Sequence, residues 1–138
     1  MRLVLDTNIL FSFFRENPVR KILIEANQLG LRLYAPAYAI EELRKNKQDL
    51  LKYTGLKSND EIELIMQTLQ AIIEIKPGDF FEEYKEKAQT ITPDLKDAPF
   101  FALALKLEAD IWSNEPRLNK QSAVKVMTTQ EVRKFIDV

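Results

Sequence analysis

The sequence predicts an α/β fold organised around a parallel sheet. Short apolar runs typical of buried strands alternate with longer segments in which apolar residues recur every three or four positions, as in amphipathic helices. Strands that are separated by helices are joined by crossover connections, which favours parallel over antiparallel pairing. With 138 residues, of which 46% are hydrophobic, the chain suits one ordinary core. We therefore expect a single domain over residues 1–138.

The first half of the chain contains two predicted strands. The run RLVL predicts the first strand at 2–5, and the apolar run NILFSFF after Asp6 predicts a helix close to it. Pro18 suits the first position of a second helix, PVRKILIEANQL, which we expect to stop at Gly30. A second strand at 31–35 then leads, through Pro36, into a third helix that runs into the late forties.

The second half repeats this alternation. Ser58 and Glu61 have the spacing of a capping box that opens a helix, and Thr128 and Glu131 repeat it before the last helix. Asp79 is placed to cap the helical run FFEEYKEKAQTI. The remaining predicted elements are strands at 71–76, 109–113 and 123–128, and an apolar helix at 98–108.

Composition excludes several kinds of chemistry. The chain has no cysteine, so it has no disulfide, thiolate nucleophile or zinc-thiolate site. It also has no histidine, which removes the commonest general acid or base and the commonest transition-metal ligand. Catalysis would therefore depend on carboxylates, hydroxyls, amides, lysine or arginine.

Charge and hydropathy also limit the partners. The net charge is −1, so no overall basic field attracts nucleic acid, and a polyanionic substrate would need a local patch or a metal ion. No stretch approaches the roughly 18 uninterrupted apolar residues of a membrane span, and an acid at position 6 is too early for a signal peptide. We expect a soluble, cytoplasmic protein without membrane association.

Acidic residues cluster at one predicted edge of the sheet. In open α/β sheets, ligands bind beyond the carboxyl ends of the strands. Asp6 follows the first strand, Glu42 lies on the helix after the second, and Glu115 follows the strand at 109–113. Asp97 begins the helix that leads into that strand. On the helix after the second strand, Glu42 flanks the apolar stripe, whereas Glu41 points away from it.

Each of these acids also has a purely structural interpretation. Aspartate is a favoured helix N-cap, so Asp6 and Asp97 could serve only as caps, with Asp94 as a rival cap for the later helix. Glu42 could lie on a solvated helix face. Glu115 could simply begin a turn.

Taken together, the motifs resemble a known family. The segments VLDTNIL, IEEL and DLKDAPFFALALKLEADIWSNEPRL, in this order and spacing, are similar to those of PIN domains, the nuclease fold found in many toxins of toxin–antitoxin pairs. The resemblance covers essentially the whole chain. It implies a three-layer α/β/α fold with a central parallel sheet of four or five short strands and a negatively charged metal pocket.

The resemblance also implies roles for individual residues. Asp6, Glu42, Asp97 and Glu115 correspond to the catalytic acids, with Asp6 and Asp97 as metal ligands. The supporting residues would be Thr7, Asn8 and Ser113. Glutamate at position 115 departs from the usual aspartate and is one methylene longer. The oxygen-only donor set suits Mg²⁺ or Mn²⁺.

The implied activity is a metal-dependent endoribonuclease. We expect in-line attack by metal-activated water on an RNA phosphodiester, leaving a 5′-phosphate and a 3′-hydroxyl. Attack by the RNA 2′-hydroxyl usually needs a histidine pair, which the chain lacks. The resemblance further implies an antitoxin partner and a homodimer. The alternative, motivated by Glu115, is a catalytically degenerate PIN-like module that binds RNA or protein.

Other functional classes fit the sequence less well. A dehalogenase-type phosphatase would need aspartate at position 8, where this chain has asparagine, and a dinucleotide-binding fold would need a glycine-rich turn, whereas the chain has three glycines. A response-regulator receiver would need an acidic pair near the first strand.

Candidates for phosphate contacts are Arg15, Arg20, Lys21, Arg44, Lys45, Lys47, Arg117 and Lys120.

Overall fold

A computed structural model describes residues 1–136. Within that part of the chain, five strands form one parallel sheet with the order β3-β2-β1-β4-β5. The strands are β1 (Arg2–Leu5), β2 (Arg32–Pro36), β3 (Glu74–Lys76), β4 (Asp110–Trp112) and β5 (Val126–Met127). The chain begins in the middle of the sheet, builds one half outward, and then crosses to the other side of β1.

Helices connect the strands. The described residues form α1 (Thr7–Phe11), α2 (Pro18–Glu25), α3 (Ala37–Lys45), α4 (Lys47–Thr54), α5 (Asn59–Ile72), α6 (Lys85–Ile91), α7 (Ala98–Leu107) and α8 (Thr129–Ile136). Short 3₁₀ segments lie at Ser12–Phe14, Gly78–Tyr84, Leu95–Asp97 and Pro116–Lys120. No helix in this part of the chain is long and apolar enough to cross a membrane.

The central strand is buried on both faces. Leu3, Val4 and Leu5 are consecutive, so their side chains alternate between the two faces, and all three are 0% exposed. Helix α7 is also buried along most of its length and packs against β1, β2 and β4. Both faces of the sheet are therefore covered, which confirms the predicted α/β fold with a five-stranded parallel sheet between helices.

The predicted capping box before α8 has both of its hydrogen bonds, and the one before α5 has the bond to the Ser58 side chain. Ser58 Oγ accepts a hydrogen bond from the Glu61 backbone N–H at 3.3 Å, and α5 begins at the next residue. At α8, Thr128 Oγ1 accepts from the Glu131 backbone N–H at 3.2 Å, while Glu131 Oε1 accepts from the Thr128 backbone N–H at 3.1 Å. Local side-chain chemistry therefore sets the start of both helices.

Two helix boundaries in the first half were predicted wrongly. Helix α2 ends at Glu25, because the chain then forms a series of turns closed by a 2.9 Å bond from Leu31 N–H to Ala26 O. Gly30, with φ +77°, takes the left-handed conformation within these turns rather than directly after the helix. The third predicted helix is divided into α3 and α4 at Asn46, whose side-chain N–H donates to Glu42 O at 2.9 Å and so competes with continuation of the helix.

The structure also corrects several of the predictions made for the second half of the chain. Residues 71–72 belong to α5, so β3 begins only at Glu74, because the Ile73 N–H still bonds to Leu69 O at 3.1 Å. Asp79 is not a helix cap: it lies inside the 3₁₀ segment Gly78–Tyr84, and α6 starts after it. Strands β4 and β5 are shorter than the ranges 109–113 and 123–128, since the paired registers extend only over Asp110–Trp112 and Val126–Met127.

Candidate active site

The four acids predicted from the sequence line one cavity. Asp6 follows β1, Glu42 lies on α3 after β2, Asp97 precedes α7, and Glu115 follows β4. The cavity has a volume of about 160 Å³ and lies beyond the carboxyl ends of the strands. Its other lining residues are Thr7, Asn8, Lys96, Phe100, Arg117 and Leu118. The sheet therefore brings together four acids that are far apart in the sequence.

Asp6 is the most buried of these acids, with 8% of its surface exposed. Its Oδ1 accepts a hydrogen bond from the Ile9 backbone N–H at 2.8 Å, so Asp6 is the N-cap of α1 as well as a cavity residue. Its Oδ2 accepts from the Ser113 hydroxyl, which lies just after β4. Burial raises the pKa of Asp6, the Ser113 and Ile9 hydrogen bonds oppose this, and the charge of Asp97 adds to it.

Asp97 occupies the N-cap position of α7 without acting as a side-chain cap there. Asp94 caps the preceding 3₁₀ turn instead, accepting from the Lys96 backbone N–H at 3.0 Å. Asp97 Oδ2 is buried, and no donor among residues 1–136 hydrogen-bonds to it. Arg117 Nη1 lies 3.1 Å away, which is an ion-pair distance without the alignment of a hydrogen bond. This carboxylate oxygen therefore has an ion-pair partner but no hydrogen-bond donor.

Negative charge is concentrated around Asp97. Burial raises its pKa, Arg117 opposes this, and the carboxylates of Asp94, Glu42 and Glu115 raise it further. The position of Asp97 is thus costly for an isolated carboxylate. A cation placed among these groups would relieve both the repulsion and the loss of hydration.

Glu42 is held by two hydroxyl groups. Its Oε1 accepts a hydrogen bond from Thr7 Oγ1 at 2.7 Å, and its Oε2 accepts from the Tyr38 hydroxyl at 3.2 Å. Glu41, one residue earlier, is exposed, as the helical geometry predicted. The role of Tyr38 was missed by sequence reasoning, although its position four residues before Glu42 on one helix was an available signal. Burial raises the pKa of Tyr38, and Glu42 adds to this.

Glu115 and Arg117 form the remaining wall of the cavity. The Glu115 backbone N–H donates to Ser113 Oγ at 3.0 Å, and its carboxylate lies 3.6 Å from Arg117 Nε. Ser113 therefore links Glu115 to Asp6. Asn114, which lies between Ser113 and Glu115 in the sequence, makes a contact with α8 instead. Its Oδ1 accepts a hydrogen bond from the Thr129 backbone N–H at 2.7 Å, at the start of that helix.

Most of the basic residues proposed for phosphate contacts do not line the cavity. Arg44 and Lys47 pair with Glu63 at 3.5 and 3.0 Å, and Arg15 lies over the ring of Tyr53. Arg117 is the member of the proposed set that lines it. Lys96 lines it as well and was not among the residues proposed from the sequence.

The acids of the cavity suit a metal ion that keeps several of its water molecules better than one that is enclosed by carboxylates alone. Within residues 1–136, no group of three acids is close enough to hold a metal ion as the side chains now stand. Magnesium, however, commonly takes one or two direct carboxylates and keeps several waters. Asp97 Oδ2, which accepts no hydrogen bond, and the carboxylate of Asp6, whose pKa the charge of Asp97 raises, are the two groups that would supply such ligands.

Comparisons with known proteins agree with this architecture. A family model described as PIN domain matches residues 4–136. No characterised protein matches in a search of curated sequences. The fold resembles the crystal structure of VapBC2 from Rickettsia felis bound to a DNA fragment from their promoter, with 12% identity, a TM-score of 0.67, and coverage of 93% of this chain and 98% of that one.

Two further structures are similar. FitAcB from Neisseria gonorrhoeae has 16% identity and a TM-score of 0.58, with 92% of this chain and 96% of that one covered. FitAB bound to an IR36 DNA fragment has 18% identity and a TM-score of 0.59, with 93% and 94% covered. At these identities the likeness concerns the fold. The family match over nearly the whole chain goes further, and the protein belongs to the PIN domain family, a family of nucleases.

Proposed function

We propose that this protein is a divalent-metal-dependent endoribonuclease with its active site in the cavity of Asp6, Glu42, Asp97 and Glu115. The observation that carries the proposal is the buried Oδ2 of Asp97, which has no hydrogen-bond donor among the described residues and lies amid three other carboxylates. A structural cap would use its oxygens on the helix. A buried carboxylate oxygen that accepts no hydrogen bond, and whose positive partner is the ion-paired Arg117, is better explained as a cation ligand.

Each acid has a separate task in this proposal. Asp6 and Asp97 would hold the metal, which would offset the charge of the scissile phosphate and make a bound water more acidic. Ser113 and the Ile9 N–H fix both oxygens of Asp6, so its position is set before substrate arrives. Thr7 and Tyr38 fix Glu42 in the same way. Glu115 would also be a metal ligand, and its side chain, one methylene longer than that of aspartate, would approach the metal from further away.

The reaction we propose is in-line hydrolysis, in which water attacks the phosphorus from the side opposite the leaving group. Water attacks phosphorus, the bond to the 3′-oxygen breaks, and the proton ends on that oxygen, leaving a 5′-phosphate and a 3′-hydroxyl. With no histidine in the chain, a 2′,3′-cyclic phosphate pathway lacks its usual acid and base. A 2′,3′-cyclic product would contradict the proposal.

The biological setting proposed is that of a toxin. The structures named VapBC2 and FitAB are complexes in which the fold occurs with a second protein. We propose that this chain likewise has a protein antitoxin, acts in the cytoplasm as a single-domain protein, and forms a homodimer. The acidic cavity suits an antitoxin that inserts a basic side chain.

Purified wild type and Asp6→Asn should be compared on end-labelled single-stranded RNA with Mg²⁺, with Mn²⁺ and with chelator. Asparagine keeps the size of the side chain and is itself a good N-cap, so α1 should stay intact. We expect cleavage by wild type only, only with metal, and with 5′-phosphate ends. Asp79→Asn, at an exposed acid outside the cavity, is the matched control and should cleave like wild type.

The second candidate is a PIN-like module that has lost catalysis. It is favoured by the glutamate at position 115 and by the lack, in residues 1–136, of three acids already arranged around a metal. Metal-dependent cleavage abolished by Asp6→Asn would exclude it. Folded wild type that neither cleaves RNA nor binds Mn²⁺ would establish it in place of the nuclease.

A further inference from the structure

The guanidinium of Arg117 lies among three acids of the cavity region. Its Nη1 is 3.3 Å from Asp94 Oδ2 and 3.1 Å from Asp97 Oδ2, and its Nε is 3.6 Å from Glu115 Oε1. Among the ion pairs of residues 1–136, those made by these three acids all involve Arg117. One side chain therefore supplies the direct positive partner of a cluster that otherwise repels itself.

This arrangement places Arg117 where a metal ion would act. A divalent cation held by Asp97 would compete with Arg117, because both would take the same carboxylate oxygen as their negative partner and the two positive charges would repel each other. The contact with Asp97 also lacks hydrogen-bond alignment. A divalent cation with direct carboxylate contact can therefore replace the guanidinium at this oxygen.

The backbone around Arg117 is fixed, whereas its side chain is partly exposed to solvent and is held there only by its acidic partners. Leu118, the next residue, is 2% exposed, and its N–H bonds to Glu115 O at 3.2 Å within the 3₁₀ segment Pro116–Lys120. The Arg117 side chain itself is 41% exposed. Movement of the guanidinium into solvent therefore needs rotation of the side chain without disturbance of the turn.

We infer that Arg117 is a built-in counter-ion that neutralises Asp97 and Glu115 in the metal-free protein and competes with the divalent cation for them. The inference rests on the proposed function, because it concerns the cation of that same cavity. Arg117 then sets the metal concentration at which the site is loaded. It is a positioning residue of the metal-free state rather than a catalytic residue.

The test is Mn²⁺ binding to metal-stripped protein, measured by calorimetry and by the loss of the free-ion electron paramagnetic resonance signal. Arg117→Gln should bind Mn²⁺ about threefold to tenfold more tightly than wild type, since one competing positive charge is gone. Arg117→Lys keeps the charge and should stay near wild type. The difference between Gln and wild type should shrink at high salt.

The matched control is Arg32→Gln. Arg32 also pairs with a glutamate, Glu74 at 3.8 Å, but lies at the start of β2, at the opposite end of the sheet. Its Mn²⁺ affinity should equal that of wild type. Melting temperatures with Mn²⁺ and with chelator give a second measure, and the Mn²⁺-dependent increase should be largest for Arg117→Gln.

The outcomes separate this inference from the proposed function. If Arg117→Gln binds Mn²⁺ no more tightly than wild type while wild type cleaves RNA with metal, the counter-ion role is wrong and the nuclease proposal stands. If neither protein binds Mn²⁺, both are wrong. Tighter binding by Arg117→Gln together with unchanged affinity of Arg32→Gln would support the inference, whatever the substrate of the site.

Discussion

The two ends of the sheet differ in how far their charged side chains are exposed to solvent. At the amino ends of the strands, Arg32 and Glu74 form an ion pair with side chains 62% and 52% exposed. At the carboxyl ends, Asp6 is 8% exposed and Asp97 Oδ2 is buried without a hydrogen-bond donor in the described chain. The first pair is solvated and adds little to stability, whereas the second group carries an electrostatic cost. Such a cost at one end alone marks that end as the functional one.

The largest effect is expected from Asp97→Asn. We expect RNA cleavage to fall by more than about 100-fold, because Asp97 is proposed as a direct metal ligand, and loss of such a ligand should matter at least as much as loss of the groups that support it. The measurement is the single-turnover cleavage rate across a range of Mn²⁺ concentrations. Glu74→Gln, at the amino end, is the control and should keep the wild-type rate. A similar loss in both variants would contradict the contrast between the two ends.

A smaller effect is expected when the hydroxyls that hold Glu42 are removed. Thr7→Val and Tyr38→Phe each delete one hydrogen bond to Glu42 with little change of shape, and each should lower kcat about tenfold with little change in KM. Tyr53→Phe, at a tyrosine with 57% of its surface exposed, is the matched control. Unchanged kcat in both variants would show that Glu42 needs no fixed orientation.

The pH dependence of stability should differ between wild type and Asp97→Asn in the presence of chelator. The pKa of Asp97 is raised in the folded protein, so this carboxyl stabilises the fold below its ordinary pKa and loses that contribution as pH rises through the folded value. At pH 7 the asparagine variant should therefore melt at a higher temperature than wild type. This gap should close on acidification.

Two acids outside the cavity, Glu131 and Glu63, give the opposite trend. The hydrogen bonds from Thr128 lower the pKa of Glu131, and those from Lys47 and Arg44 lower the pKa of Glu63. Their contribution is present above the ordinary pKa and is lost as pH falls through the folded value. Both wild type and Asp97→Asn share these groups, so the difference between the two melting curves isolates Asp97. A gap that widens on acidification would contradict the sign derived for Asp97.

The smallest effect is expected at the amino end. Arg32→Gln removes one exposed ion pair and should change the free energy of unfolding by less than about 1 kcal/mol. Urea denaturation measures this directly. A larger loss would mean that the amino end also relies on charge and would weaken the comparison.

Much of the fold followed from local patterns. The first strand was predicted at its observed bounds, and Ser58 and Thr128 both cap the helices that follow them, because apolar runs and caps are local features of the sequence. The errors lie where two local preferences compete. At Asn46 the side chain competes with helix continuation, and at residues 71–72 an apolar run suits helix and strand equally.

The sequence by itself determined the order of strands and helices and the edge of the sheet at which the acids meet. Parallel strands share their carboxyl ends, so residues that follow them converge without further information. The tertiary structure alone decided which group holds each acid. Ser113 bonds to Asp6 across 107 positions and Thr7 to Glu42 across 35, and Arg117 reaches Asp97 from a separate segment. Such contacts depend on side-chain packing at long range, which no local pattern encodes.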